Sequence, residues 1–137
     1  MPKKEIKNEK LKGECVMRGE LKDFRELNVW RKGMDLFDGA VKDVESFPRT
    51  EVGRVISNQI LRSVASITAN IAEGYGRRRG KEFQHYLYIS RGSTNETIDW
   101  YEKLRRLGYV DDVIFEKREG ACQEIRAMLS RMIATSE

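Results

Sequence analysis

Apolar residues recur at helical spacing from Leu27 onward. The first run is Leu27, Trp30, Met34, Phe37, Val41 and Val44. Its alternating steps of three and four draw one apolar seam on a helix, with charges on the opposite side. Pro48 ends this run, because proline lacks an amide and restricts the residue before it to extended geometry. Thr50 predicts the N-cap of a second helix, whose seam is Val52, Ile56, Ile60, Val64, Ile67 and Ile71. Gly74 predicts its end, since glycine accepts the left-handed geometry that follows a helix. A third helix is predicted from about Lys81 to Leu107, with the seam Phe83, Leu87, Ser90, Thr94, Thr97, Tyr101 and Leu104 and with Tyr86, Ile98 and Trp100 beside it. Gly108 closes it. Asp111 caps a fourth helix that buries Phe115, Ala121, Cys122, Ile125, Met128, Leu129 and Met132.

No segment alternates long enough to predict a strand. The pattern therefore predicts an all-α protein, an antiparallel up-down-up-down four-helix bundle with short connections. Residues 1–22 show no apolar period and mix charges of both signs, which predicts a charged flexible N-terminal arm. Residues 23–137 are then the bundle domain.

The second helix is unusually apolar for one on the outside of a monomer. From Val55 to Ala72 only Arg62 is charged. Across from the main seam runs a second stripe, Leu61, Ala65, Ala69 and Ala72, with a neutral polar line of Gln59, Ser63, Ser66 and Asn70 between the two. Small residues let another backbone come close, so this helix is expected to pack on more than one side, its second partner being another subunit. The alternative is that the alanines only supply helix propensity. On the third helix Ser90, Gly92, Ser93, Thr94, Glu96 and Thr97 form a matching small and polar set. An antiparallel pairing centred near Arg78 brings Arg62 level with Ser93 to Glu96, and an Arg62–Glu96 ion pair is expected.

Charge sharpens one region. The chain has 26 Lys and Arg against 22 Asp and Glu, a mild excess of +4 that by itself implies only solubility. The surplus is concentrated, however. Residues 1–25 carry eight basic and five acidic groups, and Gly74 to His85 carries four and one. Arg77, Arg78, Arg79 and Lys81 thus cluster on the predicted turn between the second and third helices. Arginine forks match phosphate oxygens, Tyr75 beside them offers a ring for stacking on a base, and the free amides opening the third helix add positive potential. These five residues are the candidate nucleic-acid contacts. The competing reading is a solvated turn.

Other chemistry is poorly supported. Gly76 and Gly80 are separated by three residues where a phosphate-binding P-loop needs four, and Glu82 stands where a magnesium-binding hydroxyl belongs. Cys15, Cys122 and the single histidine, His85, have no metal-ligand spacing. No nucleophile–base set or carboxylate pair stands out, so no catalytic, cofactor or metal site is expected. Two distant thiols without a signal peptide suit a reducing cytoplasm, and no segment is long enough for a bilayer.

The segments "DFRELNVWRKGMDL", "NQILRSVASITANIAEGYGRR", "EFQHYLYISRGSTNE" and "LGYV" occur in this order from about Phe24 to Val110. They resemble the bacterial four-helix bundle family known as 23S rRNA intervening-sequence proteins, named for reading frames lodged in 23S ribosomal RNA genes. The resemblance implies a ring-shaped homopentamer of four-helix subunits. It also implies a fold similar to the accessory proteins of diversity-generating retroelements, which bind RNA and a reverse transcriptase. The family pattern falls on Gln59, Arg62, Ser63, Ser66, Asn70, Glu73 and Gly74, and on Phe83, Gly92, Ser93 and Glu96. Of these, Gln59, Arg62, Ser66, Asn70, Glu73 and Glu96 are read as structural or interface residues that set helix register. The chain departs from the pattern in its longer charged arm and in an arginine triplet where serine and lysine are commoner. The expected function is a non-enzymatic, oligomeric RNA- or nucleic-acid-binding protein. The alternative is an oligomeric scaffold for a protein partner such as a reverse transcriptase or a ribosome-associated factor.

Overall fold

A computed structural model describes residues 23–77 and 80–136. The N-terminal arm expected over residues 1–22 lies outside them. A short 3₁₀ turn at Phe24–Glu26 leads into α1, Asn28–Val44, followed by α2, Glu51–Arg77, α3, Gly80–Leu107, and α4, Asp112–Thr135. Among the described residues there is no strand. α1 packs on α2 and α4, α2 on α3, and α3 on α4, with the α2–α3 contact the most extensive. The chain is an all-helical protein of the four-helix-bundle type.

Local signals set most helix ends. The Thr50 hydroxyl accepts from the Gly53 amide at 3.1 Å, and the Asp111 carboxylate accepts from the Ile114 amide at 2.8 Å. Each satisfies an amide that the first turn leaves without an intrahelical partner. Gly108 lies at φ 75° and terminates α3 as its composition predicts. Gly74 does not terminate α2. The helix continues three residues further, and Gly74 is buried within it. A Cβ there would lie 2.8 Å from Tyr86 Cβ and 3.1 Å from the Phe83 ring, so glycine serves the close approach of α3.

The core is the seam of each helix turned inward. Ile60, Val64, Ile67, Ile71, Leu87, Leu104, Ile125 and Leu129 are all fully buried. Each such side chain contributes about 1.5–3 kcal/mol of burial free energy. Val52, counted in the seam of the second helix, is instead half exposed.

Hydroxyls join α2 to α3. Ser63 pairs with Thr97 at 3.0 Å, Ser66 with Ser93 at 2.8 Å, and the Ser90 hydroxyl donates to the Ile67 carbonyl at 2.8 Å. Partners on α3 descend as positions on α2 ascend. The neutral polar line on α2 is therefore partly an internal seam: Ser63 and Ser66 face α3 of the same chain. Small side chains with satisfied hydroxyls allow the two backbones to approach without burying an unpaired polar group.

α1, α3 and α4 meet at a buried ion pair. Arg118 donates through Nε and Nη2 to the two Asp43 carboxylate oxygens, at 2.8 and 2.9 Å, and Tyr101 Oη donates to Asp43 Oδ2 at 2.6 Å. Arg118 Nη2 also reaches the Gly39 carbonyl at 3.3 Å. A Cβ at Gly39 would sit 2.6 Å from the guanidinium carbon, so the arginine needs glycine opposite it. The hydrogen bond to Asp43 raises the Arg118 pKa above its ordinary value. Burial, then the same carboxylate, raises that of Tyr101.

Candidate nucleic-acid interface

Because α2 runs to Arg77 and α3 starts at Gly80, only positions 78 and 79 separate the two longest helices. Arg78 and Arg79 lie outside the described residues. The connection is thus much tighter than the seven-residue loop implied by a helix stop at Gly74.

Arg77 is already engaged within the chain. Its Nε lies 3.0 Å and its Nη2 2.9 Å from Glu73 Oε2, Nη1 lies 3.6 Å from Glu82, and the guanidinium carbon stands 5.4 Å from the centre of the Tyr86 ring. The Glu73 hydrogen bond, followed by the Tyr86 and Glu73 charges, raises its pKa. Arg77 therefore ties the last turn of α2 to the first turn of α3. Lys81 is exposed, whereas Tyr75 is partly buried and packs against the core, which leaves less of its ring for stacking. His85 is exposed, with its ring edge-on to Tyr86 at 5.4 Å.

The residues expected to set register behave differently from one another. Asn70 donates to the Ser66 carbonyl and hydroxyl at 2.8 and 2.9 Å, extending the Ser66–Ser93 contact. Glu73 holds Arg77, and Gln59 is half buried. The expected Arg62–Glu96 ion pair does not form within the chain. Both side chains are exposed, no ion pair among the described residues includes Arg62, and Glu96 accepts from Trp100 Nε1 at 3.4 Å. The two positions are nearly level along α2 and α3, but both point outward from the α2–α3 contact. Between Val55 and Ala72, α2 leaves Asn58, Arg62, Ala65 and Ala69 in solvent along with Val55 itself, with Leu61 and Ala72 half covered; Glu51, Arg54 and Glu73 are exposed on either side of this stretch.

One aromatic residue at this surface escaped the sequence reading. Tyr88 is 49% exposed, and the Arg91 guanidinium lies 5.0 Å from its ring centre. The available signal was position: residue 88 lies seven after Lys81, two turns along the same helical line. Among the described residues no group of His, Cys, Asp or Glu is arranged to hold a metal ion, and no helix is long and apolar enough to cross a membrane.

Comparison with known proteins agrees with this architecture. The profile of the 23S rRNA-intervening sequence protein family matches residues 25–131. The crystal structure of a protein of unknown function from the S23 ribosomal protein family of Bacteroides thetaiotaomicron superposes with a TM-score of 0.72 at 31% identity. That match covers 78% of this chain and 99% of the other. No curated protein matches the chain. The chain belongs to the 23S rRNA-intervening sequence protein family.

Proposed function

We propose that this protein is a non-enzymatic, oligomeric RNA-binding protein of the cytoplasm, gripping phosphates with the basic connection between α2 and α3. The observation that carries the reading is the clustering of cations where α2 ends at Arg77 and α3 begins at Gly80. Arg78 and Arg79 lie in sequence between Arg77 and Lys81, so four cations fall within five consecutive positions where α2 gives way to α3. Link by link, arginine supplies paired donors, the bend concentrates them, and phosphates answer the charge.

Self-association belongs to the same proposal. An antiparallel up-down-up-down subunit is supported by the descending partners of Ser63, Ser66 and Ile67 on α3. The stretch of the outer face of α2 from Val55 to Ala69, where Arg62 is the one charged residue, suits a second copy better than water, with Glu51, Arg54 and Glu73 flanking it. A ring of five copies would bring five basic bends to one assembly and multiply weak contacts. The family's link to ribosomal RNA genes favours RNA over a protein partner.

Two measurements test the reading. Light scattering on the full chain is expected to give a mass several times that of one copy, and a clean monomer would overturn the oligomer. Binding to structured RNA is then followed against salt for the parent and for Arg78→Ala/Arg79→Ala/Lys81→Ala, leaving Arg77 in its ion pairs. The variant is expected to bind more weakly, with a log–log salt slope shallower by about 0.7–0.9 for each lost phosphate contact. Equal affinity and equal slope would remove the bend from RNA binding and favour a scaffold for a protein partner.

A further inference from the structure

The outward line of α3 continues the basic bend along the helix. Lys81, His85, Tyr88 and Gly92 follow one another at steps of four, three and four, and all four are exposed. Ile89, 38% exposed, lies beside Tyr88. Arg91 flanks the ring on the other side, its Nη1 donating to the Ser130 hydroxyl of α4 at 3.0 Å, and one turn further Arg126 of α4 donates to Asn95 at 2.8 Å. The guanidinium next to Tyr88 is thus held in position by a second helix. Gly92 leaves the helix surface bare beside the ring. Glycine inside a helix costs about 0.5–1 kcal/mol relative to alanine, and nothing lies within 4 Å of a Cβ placed there. The same openness holds at Gly76 and Gly120; at Gly92 it leaves room for a flat group beside Tyr88. Beyond this stretch the exposed line turns acidic, at Glu96 and Asp99.

Resting on the RNA-binding reading above, we propose that this line is a stacking surface for single-stranded RNA. A base lies against the exposed side of the Tyr88 ring and over Gly92, with its flanking phosphates near Lys81 and Arg91. Exposed cations alone do not distinguish strand states. A projecting aromatic ring does, because bases in an A-form duplex are stacked on one another and their edges lie in a deep, narrow groove. A second copy of the chain fits this line poorly. It would have to answer Lys81 and Arg91, and from Val55 to Ala69 the outer face of α2 presents only Arg62, a like charge.

The test uses the full-length chain, an unstructured single-stranded RNA oligomer and an RNA duplex of matched length, with affinities measured at several salt concentrations. Tyr88→Ala is expected to weaken single-strand binding by about 5- to 100-fold while leaving duplex binding and the salt slope unchanged, since the ring carries no charge. Tyr88→Phe is expected to behave like the parent. A second readout is photo-crosslinking of a thiouridine oligomer, expected at the peptide containing Tyr88. The inference is overturned if Tyr88→Ala binds single strands as the parent does, if it loses both RNAs equally, or if Tyr88→Phe is as defective as Tyr88→Ala. A change of oligomer mass in Tyr88→Ala without an RNA effect assigns the line to a second copy and also overturns it. In each of these cases the parent still binds RNA and the broader function stands. If the parent binds neither RNA at low salt, the broader function itself fails.

Discussion

Arg118 and Arg77 each face a carboxylate, and their surroundings make them different objects. The Arg118 and Asp43 side chains are 10% and 7% exposed, and Tyr101 and the Gly39 carbonyl complete the set. The Arg77 and Glu73 side chains are 44% and 50% exposed, one turn apart on the same helix. The buried pair was withdrawn from water, so each partner depends on the other, and removing one strands a charge. The exposed pair keeps water as an alternative and contributes little to stability. One arginine holds three helices together. The other ties the last turn of α2 to the first turn of α3 at the surface. Charge is a structural element where water is excluded and contributes little to stability where it is not.

The contrast is open to direct test, starting with the largest expected effect. Arg118→Ala should lower unfolding free energy by about 3–5 kcal/mol in urea titration, because Asp43 stays buried without its partner. Arg77→Ala, which removes the exposed pair, should leave stability close to the parental value. Comparable losses at the two sites would break the comparison. Next, Tyr101→Phe should cost about 1.5–3 kcal/mol, the worth of a hydrogen bond to a charged acceptor. It should also change the alkaline limb of the stability curve. In the folded parent Tyr101 keeps its proton beyond the ordinary value of 10.0, where the unfolded chain releases it. Parental stability should therefore fall above about pH 10, by roughly 1.4 kcal/mol per pH unit from this group, and Tyr101→Phe should lack that share.

Gly74→Ala probes the α2–α3 approach behind the basic bend. Overpacking against Tyr86 costs about 1–3 kcal/mol, and alanine's helix propensity returns about 1 kcal/mol of it. A net loss near 1 kcal/mol by thermal denaturation is expected, whereas a gain would show that the helices have room to spare. The smallest effect concerns Cys122, which is fully buried and whose thiol burial pushes up to about 12. In a Cys15→Ser background a thiol reagent at neutral pH should label Cys122 only as fast as the chain unfolds.

The helix count, the connections on either side of the α2–α3 pair and most of the core were legible in the sequence. Thr50, Asp111 and Gly108 act through bonds and torsions within a few residues of themselves, so their neighbours are enough to identify them. The Ser63–Thr97 and Ser66–Ser93 contacts were half legible: small polar residues marked a close surface, though Ser63 and Ser66 were not matched to a partner within the same chain. Gly74 was misread because a glycine that ends a helix and a glycine that admits a neighbouring helix look alike until the neighbour is known. Asp43 and Arg118 went unnoticed because each sits among other charged residues in sequence and is 75 positions from the other.

At the candidate interface the division is similar. The basic cluster is a property of consecutive residues, and the sequence alone determined it together with the period that makes four helices. Only the tertiary structure decided which cations are occupied, Arg77 by Glu73 and Glu82, and which stay exposed, Lys81. It likewise decided that Tyr75 turns toward the core and that Tyr88 stands in solvent beside Arg91. The reason is physical. Helical period and capping depend on separations of a few residues along the chain, whereas burial, ion pairing and exposure depend on which surfaces meet across it.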